Sequence, residues 1–468
     1  RDFCLSRGLG DVYKRQIREM FPEMEIRQCG DMQEPMELLE LPGISLDYFL
    51  RGLAGEAYQD NAVFQELYSW YLQSPEYRIL VKKLTEASFS ERPSDKIGKT
   101  VAKILYGEIS PYSATRLERF AACAFAHFLQ YGLKITERAE YEFRAMDMGN
   151  VMHMALEKFA AEVRKEGLDW AELTEEERNR IIDSCLDQVS ADYGNTILKS
   201  SARNEYMIER TRRILRRTVW ALQEQLKHGA FRPEGFEVRF QGGRIDRVDI
   251  MEEPENNRVY VKVIDYKTGN TSFDLLALYH GLQLQLMVYL DGALQVEKRK
   301  YPDREIVPAG VFYYNVKDPM IQEKIHADME SINEQMLKKM KMNGLVQADD
   351  NMSTKIDSTM ASIPVSLNRD GSFSKRSSVA SRKQFDALGA YVRRKICDIR
   401  ESILDGNAAV EPYELGKKNA CTYCPYLTVC GFDRKIPGYE FHRLSSIEED
   451  ALWKKIMKGE EENGSEMD

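Results

Sequence analysis

The spacing of apolar positions changes character along the chain. Between residues 17 and 107 they recur at helical intervals, most clearly in PEYRILVKKLTEA (75–87), which predicts amphipathic helices. After Pro111, the stretch SATRLERFAACAFAHFLQYGLK offers Ser113 as an N-cap and sets Leu117, Phe120, Ala121, Ala124 and Phe128 on one face, so a helix carrying Cys123 is expected there. Further helices are predicted over about 149–164, which holds His153, and about 205–227, which holds the basic run RTRRILRRTVW. The period then drops to two. FEVRFQGGRIDRVDIMEE (236–253) reads as two strands meeting near Gly242 and Gly243, and NNRVYVKVIDYKTG (256–269) reads as a third entered through an Asn-Asn turn. A helix over about 274–295 and a strand in AGVFYYNVKD (309–318) follow. A Ser, Asn and Asp-rich stretch (347–381) is expected to form long loops before a last helix leads into a cysteine-rich segment. Helix, three strands, helix, strand is the order of an α/β fold.

Alternation along the strands gathers charge at one end. Val261, Val263, Asp265 and Lys267 face one way and Ile264 and Tyr266 the other, while on the preceding strand Arg244, Asp246 and Val248 share a face that Asp249 opposes. If the two strands pair so that Asp246 comes near Asp265, two carboxylates and a lysine stand together. That set suits phosphodiester hydrolysis. The carboxylates can hold a hard cation such as Mg²⁺ (or Mn²⁺), and the lysine can orient the attacking water or offset charge developing at phosphorus. Gln285 and Tyr289, four apart on the following helix, share a face that can reach the lysine or a phosphate, and His153 is a further candidate ligand. Each has a plainer reading: a salt-bridged strand end for DYK, and a packing role for the histidine.

Composition narrows the class. A chain of 468 residues suggests two or three domains, and 43% hydrophobic with 30% charged residues and no apolar run long enough to span a bilayer points away from a membrane protein. The formal charge of −9 argues against a uniformly basic surface, so DNA binding has to be argued locally. Arg210, Arg212, Arg213, Arg216 and Arg217 spread around their helix, where they either meet a DNA strand or form a solvated charged face. Eight cysteines without a secretory signal suit ligation in a reducing cytoplasm better than a disulfide framework. Cys421, Cys424 and Cys430 in CTYCPYLTVC need a fourth ligand, for which Cys29, Cys123, Cys185 and Cys397 are candidates, and thiolates alone suit zinc as well as an iron-sulfur cluster. Residues 1–16 (RDFCLSRGLGDVYKRQ) back-translate into the end of a sequencing adapter. They are expected to be library read-through, with the natural chain extending further toward its N-terminus.

GGRIDRVD, VIDYKTG and QLMVY, preceded by GNVMHMALEKF, resemble in order and spacing the RecB-like nucleases, a branch of the PD-(D/E)xK fold, over about 149–316. The resemblance implies a mixed sheet flanked by helices. It also implies that His153, Asp246 and Asp265 bind metal with help from the Tyr266 backbone carbonyl, that Lys267 is catalytic, and that Gln285 and Tyr289 complete the site. A departure is the long span between Asp246 and Asp265, which a hairpin excursion through EEPENN absorbs. In RecB-like nucleases with an iron-sulfur cluster, one cysteine precedes the core and three follow. The resemblance therefore selects Cys123 to join Cys421, Cys424 and Cys430 and implies a [4Fe-4S] staple, with Cys29, Cys185 and Cys397 left as buried thiols.

SATRLERFAACAFAHFLQYGLKITERAEYEFRAMDMGNVMHMALEKF together with CTYCPYLTVCGFD further resembles the AddB family, the B subunits of AddAB-type ATP-dependent helicase-nucleases, from residue 17 to the end. This implies a 5′ to 3′ single-strand exonuclease acting on DNA beside an AddA-like helicase-nuclease partner in a heterodimer that resects double-strand breaks. It implies the tail of a helicase-like helical region at 17–107, a nuclease domain at 108–440 with its core at about 149–318, and a C-terminal tail at 441–468. A stand-alone Cas4-like nuclease shares the cysteine layout but is usually shorter. A non-catalytic DNA-binding scaffold is opposed by the intact Asp246, Asp265 and Lys267.

Overall fold

The computed structural model describes residues 16, 19–22, 39, 42–53, 62–88, 96–107, 113–138, 145–193, 201–321, 329–349, 351–436 and 438–464. Cys29 and residues 1–15, read as adapter sequence, lie outside the described residues. The chain divides into two compact units between Pro93 and Ser94. In the first, helices α1 (Pro42–Leu53), α2 (Ala62–Gln73) and α3 (Arg78–Ser88) enclose Phe49, Leu53, Phe64, Tyr71 and Val81. The Tyr71 hydroxyl, carried into this apolar cluster, donates to the Pro42 carbonyl at 2.6 Å. The domain boundary expected at 107 moves to 93, because α4 (Lys99–Tyr106) buries Ala102 and Tyr106 in the core of the second unit.

The second unit continues through α5 (Ala114–Ala122), α6 (Ala124–His127), α7 (Ala145–Lys165), α8 (Glu175–Asp192) and α9 (Ala202–Lys227). Strands β1 (Arg232–Phe240), β2 (Gly243–Glu253) and β3 (Arg258–Lys267) form an antiparallel meander, with Asn257 taking the left-handed turn conformation (φ 54°) that Asn tolerates. Helices α10 (Leu275–Tyr279) and α11 (Gln285–Lys300) then cross over to β4 (Glu305–Asn315), parallel to β3. After α12 (Met329–Lys339), β5 (Asn343–Gln347) and α13 (Met352–Ile356), the short β6 (Val379–Ala380) completes a mixed six-stranded sheet in the order β1-β2-β3-β4-β5-β6. The loop-rich stretch expected at 347–381 thus also supplies a sheet edge. Helix α14 (Arg382–Leu404), the strands β7 (Tyr413–Leu415) and β8 (Lys418–Asn419), α15 (Leu427–Cys430), β9 (His442–Arg443) and α16 (Glu449–Gly464) close the chain.

Strand alternation sorts the sheet into two cores. Tyr260, Ile264 and Tyr266 pack with α7, α8 and α9, whereas Val259, Val261 and Val263 pack with α4, α5, α11, α14 and α16. The result is a helix-sheet-helix sandwich with β3 buried on both faces. The predicted helix over 274–295 is two helices. Gly281 adopts φ +81°, which ends α10, and a Cβ there would stand 3.3 Å from the Ala121 side chain, so glycine lets the crossover turn against α5. Cys397 is exposed rather than buried, on the outer face of α14, while Cys185 is buried as expected.

On the α7 side, Arg247, Asp249 and Lys262 form a cluster with almost no solvent contact. Asp249 and Lys262 are cross-strand partners, with Lys262 Nζ 2.9 Å from Asp249 Oδ2 and Arg247 Nε 2.6 Å from Oδ1. Burial alone would raise the Asp249 carboxyl, yet the two cations hold it below its ordinary value. Removing the anion strands two buried cations. Asp249→Ala is expected to cost about 3–5 kcal/mol, read as a lowered midpoint in urea unfolding, whereas a well-packed apolar replacement of the whole cluster is expected to be tolerated.

Candidate active site

Pairing register makes the acidic row. Arg247 lies opposite Ile264, and one further antiparallel step sets Asp246 against Asp265. On the other side of β2, the pairs Phe236–Arg247 and Val238–Ile245 bracket Glu237 and Asp246. Three carboxylates therefore cross β1, β2 and β3 in line, at the end of the sheet where the helical layers part. Glu237 sits in β1 at φ 50°, a conformation that a non-glycine residue holds only where its surroundings over-determine it. Sequence alternation missed Glu237; it reads as an ordinary strand glutamate, and backbone twist leaves no compositional signal.

Around this row a cleft of about 680 Å³ is lined by the expected residues His153, Asp246, Asp265, Tyr266, Lys267, Gln285 and Tyr289, and by Glu237 and Arg244. Donor atoms of His153, Glu237 and Asp246 all lie within 4.8 Å of one another. His153 Nδ1 is 3.4 Å from Asp246 Oδ2, which also accepts the Tyr266 N–H at 2.7 Å. Helix α7 can bring the histidine this close because Gly149 faces Thr268, where a Cβ would come within 3.1 Å of the hydroxyl. Lys267 Nζ lies 2.7 Å from Asp265 Oδ2 and donates to Gln285 Oε1 at 2.7 Å, and Gln285 Nε2 donates in turn to the Tyr289 hydroxyl at 2.9 Å. The four-residue spacing on α11 thus yields a chain of hydrogen bonds ending on the lysine.

The electrostatics suit a cation. Burial, reinforced by Asp265, raises the Asp246 carboxyl well above the ordinary carboxylate range. Asp265 is also raised by burial, with Lys267 opposing the shift. Burial and then Lys267 lower His153, leaving a neutral imidazole with a lone pair free for ligation at neutral pH. Burial pushes Tyr289 up to about 12, so its hydroxyl stays protonated. Buried like charges beside a neutral imidazole are the donor set a hard divalent cation would neutralise. The structure brings the seven sequence-predicted residues of this site together.

The four cysteines also meet. Cys123, Cys421, Cys424 and Cys430 are free thiols lining one apolar pocket with Phe125, Val410 and Tyr426. The sequence pattern predicts Cys123 within a helix; instead it interrupts one, in extended conformation (φ −167°, ψ 115°) between α5 and α6, which turns the sulfur toward the C-terminal loop. Burial and then the three neighbouring thiols push Cys421 up to about 11. The Phe432 N–H lies 3.4 Å from Cys430 Sγ, and an Arg119 nitrogen lies 4.0 Å from Cys424 Sγ. Four converging sulfurs with nearby donors fit a thiolate-bound metal centre.

The basic helix is neutralised by its neighbours. Arg212 pairs with Asp183, Asp187 and Glu209, Arg216 with Asp183, and both Arg213 and Arg217 with Asp318; Arg210 is exposed. That favours a solvated charged face over a DNA track for this run.

Sequence comparison agrees with the geometry. The profile of the PD-(D/E)XK nuclease superfamily matches residues 111–431, which covers every residue of both sites. The chain belongs to that superfamily. Within it, the chain is similar to the B subunits of ATP-dependent helicase/deoxyribonucleases: 38% identical over 95% of its length to that of Lachnoclostridium phytofermentans, and 33% identical over 95% to that of Alkaliphilus metalliredigens. It spans 40% and 41% of those two relatives. Among the described residues no helix is long and apolar enough to cross a membrane.

The raised Asp246 pKa gives a stability signature. The folded state holds this proton more tightly than the unfolded chain, so ionising the group costs stability as pH rises through the folded value, and the cost vanishes below the unfolded value. Asp246→Asn, whose side-chain oxygen can still accept the Tyr266 N–H, is expected to stabilise the cation-free protein by on the order of 1 kcal/mol at neutral pH. The gain should shrink on acidification, as thermal melts across a pH series would record.

Proposed function

We propose that this chain is the nuclease-bearing part of a helicase-nuclease of the AddAB type, a metal-dependent exonuclease acting 5′ to 3′ on single-stranded DNA in the resection of double-strand breaks. The observation that carries the reading is the coincidence, in one cleft, of the Glu237, Asp246 and Asp265 row with His153 on one side and the Lys267–Gln285–Tyr289 chain on the other. His153, Glu237, Asp246, Asp265 and the Tyr266 carbonyl would hold Mg²⁺ or Mn²⁺. A hard cation bound there supplies Lewis acidity at the phosphoryl oxygen and lowers the pKa of a bound water. Lys267 orients the attacking water and offsets charge developing at phosphorus, while Gln285 keeps its ammonium aimed into the cleft. Arg244, at the cleft wall beside Glu237, can meet a backbone phosphate of the incoming strand. The names of the relatives support DNA as substrate and a helicase-bearing partner of the AddA type, in the cytoplasm.

The cysteine set is assigned to a [4Fe-4S] cluster. Among the described residues, the only group of three or more ligand atoms within 4.8 Å is that of His153, Glu237 and Asp246. The four sulfurs therefore stand wider than the roughly 3.8 Å implied by tetrahedral Zn–S bonds of about 2.3 Å, which supports a polynuclear cluster over a single zinc ion. Its role is a staple joining the chain's end to the α5–α6 break. A stand-alone nuclease is disfavoured by similarity that runs over 95% of the chain to helicase-nuclease subunits.

End-labelled single-stranded DNA incubated with anaerobically purified protein should be degraded from its 5′ end only when Mg²⁺ or Mn²⁺ is added, and Asp265→Ala or Lys267→Ala should lower the rate at least about a hundredfold. Activity in EDTA, or an Asp265→Ala variant as fast as its parent, defeats the nuclease reading. Cys424→Ala is expected to lose the cluster's iron and its visible absorbance and to melt at lower temperature. Full iron content with an unchanged melt defeats the cluster assignment.

A further inference from the structure

The N-terminus of α11 has no cap of its own. Its N-cap residue, Leu284, is helical and apolar and leaves the first N–H groups without a local side-chain acceptor. They are satisfied from far away in the sequence: Glu118 Oε1, on α5, accepts the Leu284 N–H at 2.7 Å and the Gln285 N–H at 3.0 Å. Gln285 is therefore held twice, its backbone by Glu118 and its side chain by Lys267 and Tyr289. We propose that Glu118 is a positioning residue for strand cleavage, fixing the first turn of α11 so that the Gln285 amide keeps Lys267 aimed into the cleft. The proposal rests on the nuclease reading above.

The surroundings of Glu118 agree with this placement. Burial raises its carboxyl to about 7, opposed by the two backbone donors and by Lys267, with a further upward push from Asp265, so the group lies within the electrostatic reach of the catalytic lysine and aspartate. A single oxygen accepts both N–H bonds, and a glutamine carbonyl in the same place can accept both as well. The neighbouring Arg119 points elsewhere, to Cys424 Sγ at 4.0 Å and over the Tyr426 ring at 5.6 Å. Successive residues of α5 thus serve the catalytic helix and the cysteine loop. A plain structural cap would alter stability and leave the lysine's chemistry alone, and that difference can be measured.

Steady-state cleavage of single-stranded DNA by the 468-residue chain separates these roles. Glu118→Ala is expected to lower kcat at least about tenfold with KM for DNA little changed, because a displaced catalytic group costs rate rather than substrate binding. Glu118→Gln is expected to restore kcat to within about threefold of the parent, since the acceptor remains. In the Gln285→Ala background, adding Glu118→Ala should lower kcat no further, as expected if one residue acts through the other. If Glu118→Ala does not fold, Glu118→Asp, which withdraws the oxygen by one methylene, takes its place with the same expected loss. The proposal is overturned if the Glu118 variant keeps kcat, if Glu118→Gln is as impaired as the alanine variant, or if the losses multiply with Gln285→Ala. An inert parent, or an Asp265→Ala variant that still cleaves, overturns the nuclease reading and the proposal with it.

Discussion

Like-charge repulsion across paired strands is the constraint around which this structure is built. Asp246 and Asp265 face each other across the β2–β3 ladder, Glu237 continues the row on β1, and burial raises all three carboxyls instead of letting solvent screen them. Left to itself, such a row would splay the strands or take up protons. It cannot splay, because β3 is buried on both faces and its hydrogen bonds to β2 and β4 fix the register on either side. The two remaining remedies are a proton and a cation, and the neutral imidazole of His153 beside the row favours the cation over the proton.

The two helical layers divide the work of completing the site. The α7 side delivers His153, close because Gly149 removes the side chain that would strike Thr268. The α11 side delivers Gln285 and Tyr289, whose approach depends on the chain leaving α10 through Gly281 and re-entering a helix at the height of Lys267. The same sheet carries opposite solutions to buried charge on its two faces. Arg247, Asp249 and Lys262 neutralise one another as a closed set, and their burial is static. The acidic row on the cleft side has only Lys267 and Arg244 against three carboxylates. The charge deficit is what distinguishes a site from a scaffold here.

How much of this was legible beforehand follows from the range of the interactions. Alternation in VKVIDYK placed Asp265 and Lys267 on one face, and the four-residue spacing placed Gln285 with Tyr289, because both are local consequences of backbone geometry. The pairing of Asp246 with Asp265 needed a register that the sequence alone left conditional. Glu237 escaped because its role depends on a left-handed φ in the middle of a strand, imposed by neighbours and not by its own preference. The break at Cys123 escaped for a similar reason: AACAFA has helical composition throughout, and it is tertiary demand, seen in the Phe125 N–H bonding to the Ala409 carbonyl, that opens the helix there. Exposure of Cys397 was a matter of helix phase, which a hydrophobic prior for cysteine overrides wrongly.

The break at Cys123 also explains why the cysteine site and the cleft belong to one mechanical system. Helix α5 is only nine residues long, too short to be stable without tertiary support. Its apolar face, Leu117 and Phe120, is buried beneath the sheet, which fixes its rotation. Its position along its own axis is fixed at the C-terminal end, where the chain turns out through Cys123 and the Tyr426 hydroxyl ties the cysteine loop to the Ile135 carbonyl. A staple at that end restrains sliding, the motion that side-chain packing resists least. Sliding would carry Glu118 along α5 and away from the N–H groups of α11. Anchoring the last segment of the chain to this one helix therefore does more than close the domain: it sets the register between the helix that supports the catalytic lysine and the sheet that carries the acidic row.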